Sequence, residues 1–189
     1  METRRRVVIG LAALSLILSG CTSAPEASSA ADTVNDADVA FLTDMIPHYV
    51  QALQMVDMTD GRDLTPAFAE LTDGIEAAQG PEIDQMSGWL EEWGYEVPDS
   101  ASHMGMMGDD NGMGMMTDDD IETLGGMMAG DFEEMWMVMM IEHHEGAIDM
   151  SRTELVEGAS TDARELAERI IAAQEAEITM MQELLADNG

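Results

Sequence analysis

The chain has 189 residues, 39 acidic against seven basic side chains and a formal net charge of −32. That length allows one domain with a real core, while the charge argues against nucleic acid and anionic lipid head groups as partners. A single cysteine, Cys21, rules out an intramolecular disulfide, and 20 methionines far exceed the eight aromatic residues.

Arg4, Arg5 and Arg6 precede an apolar run from Val7 to Leu18, which is about a dozen residues and too short to span a bilayer comfortably. Leu18, Ser19, Gly20 and Cys21 follow in an order that resembles the lipobox of bacterial lipoproteins. Residues 1–20 are therefore expected to be a lipoprotein signal peptide, with Cys21 as the lipidated residue. Residues 21–34, rich in Ala, Ser, Pro and Asp, read as a flexible tether from that anchor. The expected location is the outer face of the cytoplasmic membrane or the cell envelope. Without the leader the chain keeps four Arg, no Lys and 38 carboxylates, a formal charge of −34. Such a surface attracts cations, although acidic solubilisation explains the same charge.

Residues 35–187 form the expected helical domain. Asn35 or Asp36 can cap a first helix that runs to about Thr59, with Val39, Leu42, Ile46, Val50 and Leu53 at helical spacing. Thr65 and Pro66 open a second helix that Gly94 ends after Trp93, with a kink or local break expected at Gly80 and Pro81. A Met/Gly-rich loop occupies residues 95–116. Thr117 and Asp120 make a capping box for a short helix to about Leu124. Asp131 is expected to cap a third long helix to about Glu157, and Ser160 or Thr161 a fourth ending near Ala186.

The halves repeat. A gapless shift of 95 positions superposes Met45–Met86 on Met140–Met181 with 14 identities in 42 positions, among them Met45/Met140, His48/His143, Met55/Met150, Gln79/Gln174 and Glu82/Glu177. One amphipathic hairpin cannot bury its apolar stripe alone, whereas two can bury theirs together. The expected fold is all-α, a four-helix bundle of two pseudo-symmetric hairpins at about residues 36–93 and 131–186.

Met45, His48 and Met55 fall within about 80° of one another on a helix, and Met140, His143 and Met150 repeat that spacing. His144 adds a further imidazole on an adjacent face. Thioether sulfur is a soft donor that selects Cu(I), and imidazole accepts both Cu(I) and Cu(II), so this stripe is a candidate copper site. Core packing is the plainer explanation, because Met fills bundle interiors and a buried neutral His needs only one hydrogen bond. The tract carrying His103, Met104, Met106, Met107, Met113, Met115 and Met116 is too rich in Gly for a regular buried stripe, which favours metal binding there. A sacrificial antioxidant segment or a hydrophobic lid are alternatives. Catalysis is poorly supported: Ile148 stands where a zincin helix would place its second His, and Met45 and Met140 stand where di-iron bundles carry Glu. Cys21 is assigned to lipid, which leaves no nucleophile constellation.

Three motifs carry a family likeness: Phe41 to Met55 (FLTDMIPHYVQALQM), Met139 to Met150 (MMIEHHEGAIDM), and Gln-x-x-Glu-Ile at Gln79 and again at Gln174. On these the chain resembles the bacterial domain-of-unknown-function family 305. The resemblance implies an exported, ferritin-like helical bundle, with some members linked to copper through Met and His. His48 takes the place of the first His in that family's Met-Ile-Pro-His-His motif, and His143 and His144 match the later pair. Tyr49 stands where a second His is usual, which favours a Met-dominated Cu(I) site over a Cu(II) site on the first helix. The resulting expectation is a copper-binding or copper-buffering lipoprotein with no enzymatic activity, open to homo-oligomers or an envelope partner. The alternative is a metal-free structural or interaction protein of the envelope, whose acidic surface docks a cationic partner.

Overall fold

Two amphipathic hairpins need each other's apolar stripes, and the computed structural model packs them as a four-helix bundle. It describes residues 33–99 and 113–187. The leader, Cys21, most of the tether and the tract residues His103, Met104, Met106 and Met107 lie outside the described residues. The described residues contain five helices: α1 (Asp36–Asp57), α2 (Pro66–Trp93), α3 (Asp118–Gly125), α4 (Ala129–Glu157) and α5 (Thr161–Asp187). α1 pairs with α2 and α4 with α5, while the hairpins meet mainly through α1 and α4. None of the described helices is long and apolar enough to cross a membrane.

The helix boundaries follow from local chemistry. Asn35 caps α1 in a capping box with Asp38, and Thr117 with Asp120 repeats the device on α3. Gly94 closes α2 at φ +83, a conformation open to glycine without a Cβ penalty. Ser160 Oγ accepts from the Ala163 amide at the start of α5. One expectation is narrowed, since the local break at Pro81 is absent, and one, the Asp131 cap, is corrected. α2 runs through Pro81 without a break, because the carbonyl freed four residues earlier belongs to exposed Ala77, where water can replace the lost donor. α4 begins at Ala129 rather than after Asp131; Met128 holds the cap position without a side-chain bond, and Asp131 lies in the first turn, where the helix dipole favours an acid.

The repeat produces cross-capping between hairpins, a feature that the sequence reading missed. Asp38 of α1 accepts from the amides of Ala159 and Ser160 at the start of α5, at 2.9 and 2.8 Å. Its repeat counterpart, Glu133 of α4, accepts from the Thr65 amide and hydroxyl at the start of α2, both at 2.7 Å. Each hairpin thus donates a carboxylate to the other's second helix, where orphan N–H groups and the dipole want an anion.

Apolar side chains gather in two clusters that the pseudo-twofold exchanges. One holds Met55, Phe68, Ile75, Trp136, Met140 and Met181, and the other Phe41, Met45, Met86, Leu90 and Ile170. Along α1, His48 falls between Met45 of one cluster and Ala52 of the other; along α4, His143 falls between Met140 and Ala147. A polar layer therefore separates the two apolar halves.

A candidate metal centre in the polar layer

The register that stacks the two hairpins sets His48 against His143, their ring centroids 3.7 Å apart with planes tilted by 34°. The repeat makes this meeting nearly obligatory, since both residues occupy the same position on the two helices that meet at the pseudo-twofold. His48, His143 and His144 are each no more than 1 % exposed.

Hydrogen bonding fixes one face of two of the three rings. His48 Nε2 lies 2.9 Å from the Met113 carbonyl, which can only accept, so Nε2 carries the proton and Nδ1 the lone pair. His144 Nε2 lies 2.7 Å from Glu177 Oε2 and by the same logic donates. The Nδ1 atoms of His48 and His144 and both ring nitrogens of His143 are buried without a hydrogen-bonding partner. Burial pushes the His48 imidazolium down to about 4, opposed by the Met113 carbonyl and helped by His144. Burial also drives His143 well below the usual imidazole range, with the neighbouring His48 and His144 adding to it and the His48 carbonyl opposing. Both rings are neutral at pH 7, the form that binds a metal.

A short strap covers the pair. Met113–Met116 leaves the Met/Gly tract and lies along α1 and α4. Gln51 grips it with its whole amide: Nε2 donates to the Met116 carbonyl at 2.8 Å, and Oε1 accepts from the Met116 amide at 2.7 Å. Gly146 lets the strap approach, because a Cβ there would run into the Met113 carbonyl. Gly114 meets the same limit against the Glu142 backbone, at φ +70. The end of the methionine tract is thereby delivered to the imidazoles, Met116 buried and Met113 and Met115 half-buried. Sequence reasoning named these three methionines but had no signal for their anchors, Gln51 and Gly146.

Of the remaining candidates, Met45 and Met140 each lie one helical turn before the paired His and are fully buried. Met55 packs in the cluster of Phe68 and Trp136, and its carbonyl accepts from the Trp136 indole at 2.7 Å. Met150 lines a cavity with Ala37, Phe41 and Glu154. Beside the imidazoles, Tyr49 donates to Glu82 at 2.9 Å, the repeat counterpart of the bond between His144 and Glu177. Burial, then the Glu82 charge and hydrogen bond, raise the Tyr49 phenol well above its usual value, and burial also raises Glu82. Gln79 has neither amide atom partnered.

Such orphaned atoms cost about 1–3 kcal/mol each unless something satisfies them, and a lone pair on a neutral imidazole is what a soft or borderline cation uses. The residues present therefore fit copper. Among the described residues no three His, Cys, Asp or Glu side chains converge as a ready-made cage, so two imidazoles need thioethers or carbonyls to complete a shell.

Fold and site together define a methionine-rich helical bundle with a buried imidazole pair under a backbone strap. The family model described as "Domain of unknown function (DUF305)" matches residues 38–185, and the chain belongs to that family. Among solved structures, a DUF305 fragment from Deinococcus radiodurans aligns with TM-score 0.70 and 27% identity, over 82% of this chain and 98% of that one. A DUF305 protein from Streptomyces coelicolor assigned as secreted aligns with TM-score 0.70 and 29% identity, over 80% and 93%. CopM in its Cu(II)-bound form aligns with TM-score 0.70 and 27% identity, over 80% and 97%. Its Cu(I)-bound form, at 24% identity and TM-score 0.64 over 79% and 96%, supports the fold. No protein of curated function matches the chain.

Proposed function

We propose that this protein binds or buffers copper outside the cytoplasm, without catalytic turnover, held to the membrane by a lipid on Cys21. The observation that carries the reading is the buried pair His48 and His143, neutral and with unpartnered nitrogens, beneath a strap that ends in Met113, Met115 and Met116. His48 and His143 would supply the nitrogens; the sulfurs would come from the strap or from Met45 and Met140. A d¹⁰ cuprous ion accepts such a low-charge donor set, which makes Cu(I) the favoured state. The ring centroids lie 3.7 Å apart with planes tilted by 34°, so loading would call for rotation of the rings toward a shared ion. The similarity to CopM, a protein solved with copper bound, supports the choice of metal. The acidic surface would gather cations toward the bundle.

X-ray absorption at the copper edge of the loaded protein tests this, because it separates sulfur from nitrogen scatterers. A mixed sulfur and imidazole shell is expected. A shell of oxygen alone, or no binding tighter than about 10 µM (about −7 kcal/mol), would leave the acidic envelope protein as the better reading.

A further inference from the structure

At the end of the bundle away from Trp136 lies a second buried ionisable group that the copper reading does not use. Glu154, on the last turn of α4, is 1 % exposed, and neither carboxyl oxygen has a donor. It lines a cavity of about 160 Å³ with Asp44, Glu157, Phe41 and Met150. Asp38, which lies within hydrogen-bonding range of Glu154 though outside the cavity lining, accepts from the amides of Asn35, Ala159 and Ser160 and so has its charge compensated by three N–H groups. Two carboxyl groups can share such a space only if a proton or a cation sits between them.

We propose that Glu154 is a carboxylic acid whose O–H donates to the Asp38 carboxylate, a proton latch that ties α1 of the first hairpin to the α4–α5 corner of the second. Three observations favour a proton over a cation. First, among the described residues no three acidic or imidazole side chains converge as a cation cage. Second, the repeat counterpart of Glu154 is Thr59, a buried side chain whose hydroxyl donates to the Val56 carbonyl of its own helix, so the other hairpin places no charge in the same slot. Third, the Asp38 charge from α1 opposes the ionisation of Glu154 and Arg164 from α5 favours it, while the cavity beside it is lined by two further acids, Asp44 of α1 and Glu157 of its own helix.

Burial, the Asp38 hydrogen bond and the Asp38 charge together push the Glu154 carboxyl up to about 8. Gly158 takes part, since a Cβ there would collide with the Glu154 carboxyl. The cavity gives the proton a route to solvent. Between the ordinary carboxyl value of 4.5 and about 8, the folded chain holds a proton that the unfolded chain has released. The latch therefore stabilises most at acid pH, weakens as pH rises through that window, and is open above about 8.

Carbon-13 NMR of the Glu154 side chain in the full-length protein reads the proton directly. The carboxyl resonance is expected to titrate with a midpoint near 8. A midpoint in the ordinary carboxyl range would overturn the latch. So would displacement of the resonance by millimolar Ca²⁺ at pH 7, which would assign the gap to a cation. The native protein is expected to lose melting temperature from about pH 6 to about pH 9, and the variant Glu154→Gln, which keeps a neutral donor, should lack that fall. An unchanged pH profile in that variant would also overturn the proposal, and the NMR titration decides the matter by itself should the variant fold poorly.

Discussion

The two hairpins occupy equivalent places in one bundle, and several of the positions at which they differ touch the strap or the polar layer. Position 51 on α1 is glutamine and its counterpart at 146 on α4 is glycine. The first grips the strap at Met116 and the second makes room for it at Met113. Tyr49 and His144 are counterparts, each bonded to the equivalent glutamate, yet only one of them carries an imidazole. Asp38 and Glu133 both cap the opposite hairpin, but Asp38 acts on the carboxyl of Glu154, whose repeat counterpart is the uncharged Thr59. Apolar positions such as Met45/Met140, Ile75/Ile170 and Met86/Met181 repeat exactly, whereas Gln51 and Gly146 differ where a single, unrepeated strap must be seated.

The caps should show the largest asymmetry in stability. Asp38→Ala removes an acceptor from three backbone amides and takes away the latch partner, so a loss of about 3 kcal/mol is expected by urea denaturation. Glu133→Ala should cost about 1–2 kcal/mol, the usual loss of a helix cap. Equal losses would mean that the two ends of the bundle are equivalent after all.

The strap positions come next. Gly146→Ala forces a methyl group against the Met113 carbonyl and should cost about 1–3 kcal/mol. Gln51→Ala leaves both Met116 backbone groups without their partner and should cost about 1–2 kcal/mol. In both variants the Met116 amide should lose protection against hydrogen exchange while the α2 and α5 amides keep theirs. Protection retained in Gly146→Ala would show that the strap does not depend on that close approach.

The imidazoles differ from ordinary surface histidines in a way that pH can expose. The metal-free protein holds His48 neutral down to about 4, whereas the unfolded chain takes up its proton near 6.5. The His48 contribution to stability should be full above about 6.5 and fall as pH drops from there toward about 4, opposite in sign to the Glu154 contribution, with the His48 ring shifts titrating near the lower value. A midpoint near 6.5 would place His48 in water. The smallest effect belongs to Tyr49→His, which makes the two hairpins alike. Glu82 is already positioned to accept, so stability should change by less than about 1 kcal/mol.

Much of this was legible in the chain because periodicity and repetition are local. The 95-residue shift implied that His48 and His143 occupy equivalent helix positions, and a bundle with an internal twofold brings equivalent positions together. Asn35, Thr117 and Gly94 announced helix ends through their own chemistry. Asp131 misled because acids favour the first turn of a helix as well as its cap, and Pro81 misled because its cost depends on whether the freed carbonyl faces water. Cross-capping by Asp38 and Glu133, the grip of Gln51 and the clearance at Gly146 join residues 33 or more positions apart, for which no local pattern exists. Glu154 was invisible for a related reason: one acid among 39 stands out only once its surroundings are known.

The paired imidazoles of His48 and His143 hold the ion in the proposed function. Competition for Cu(I) against a chromophoric chelator, comparing the native protein with the double variant His48→Ala, His143→Ala at pH 7, measures that directly. A loss of about 100-fold or more in affinity is expected, beyond the 10–100-fold typical of merely supporting groups. Equal affinity and stoichiometry in the two proteins would contradict the account and return the pair to the role of core packing.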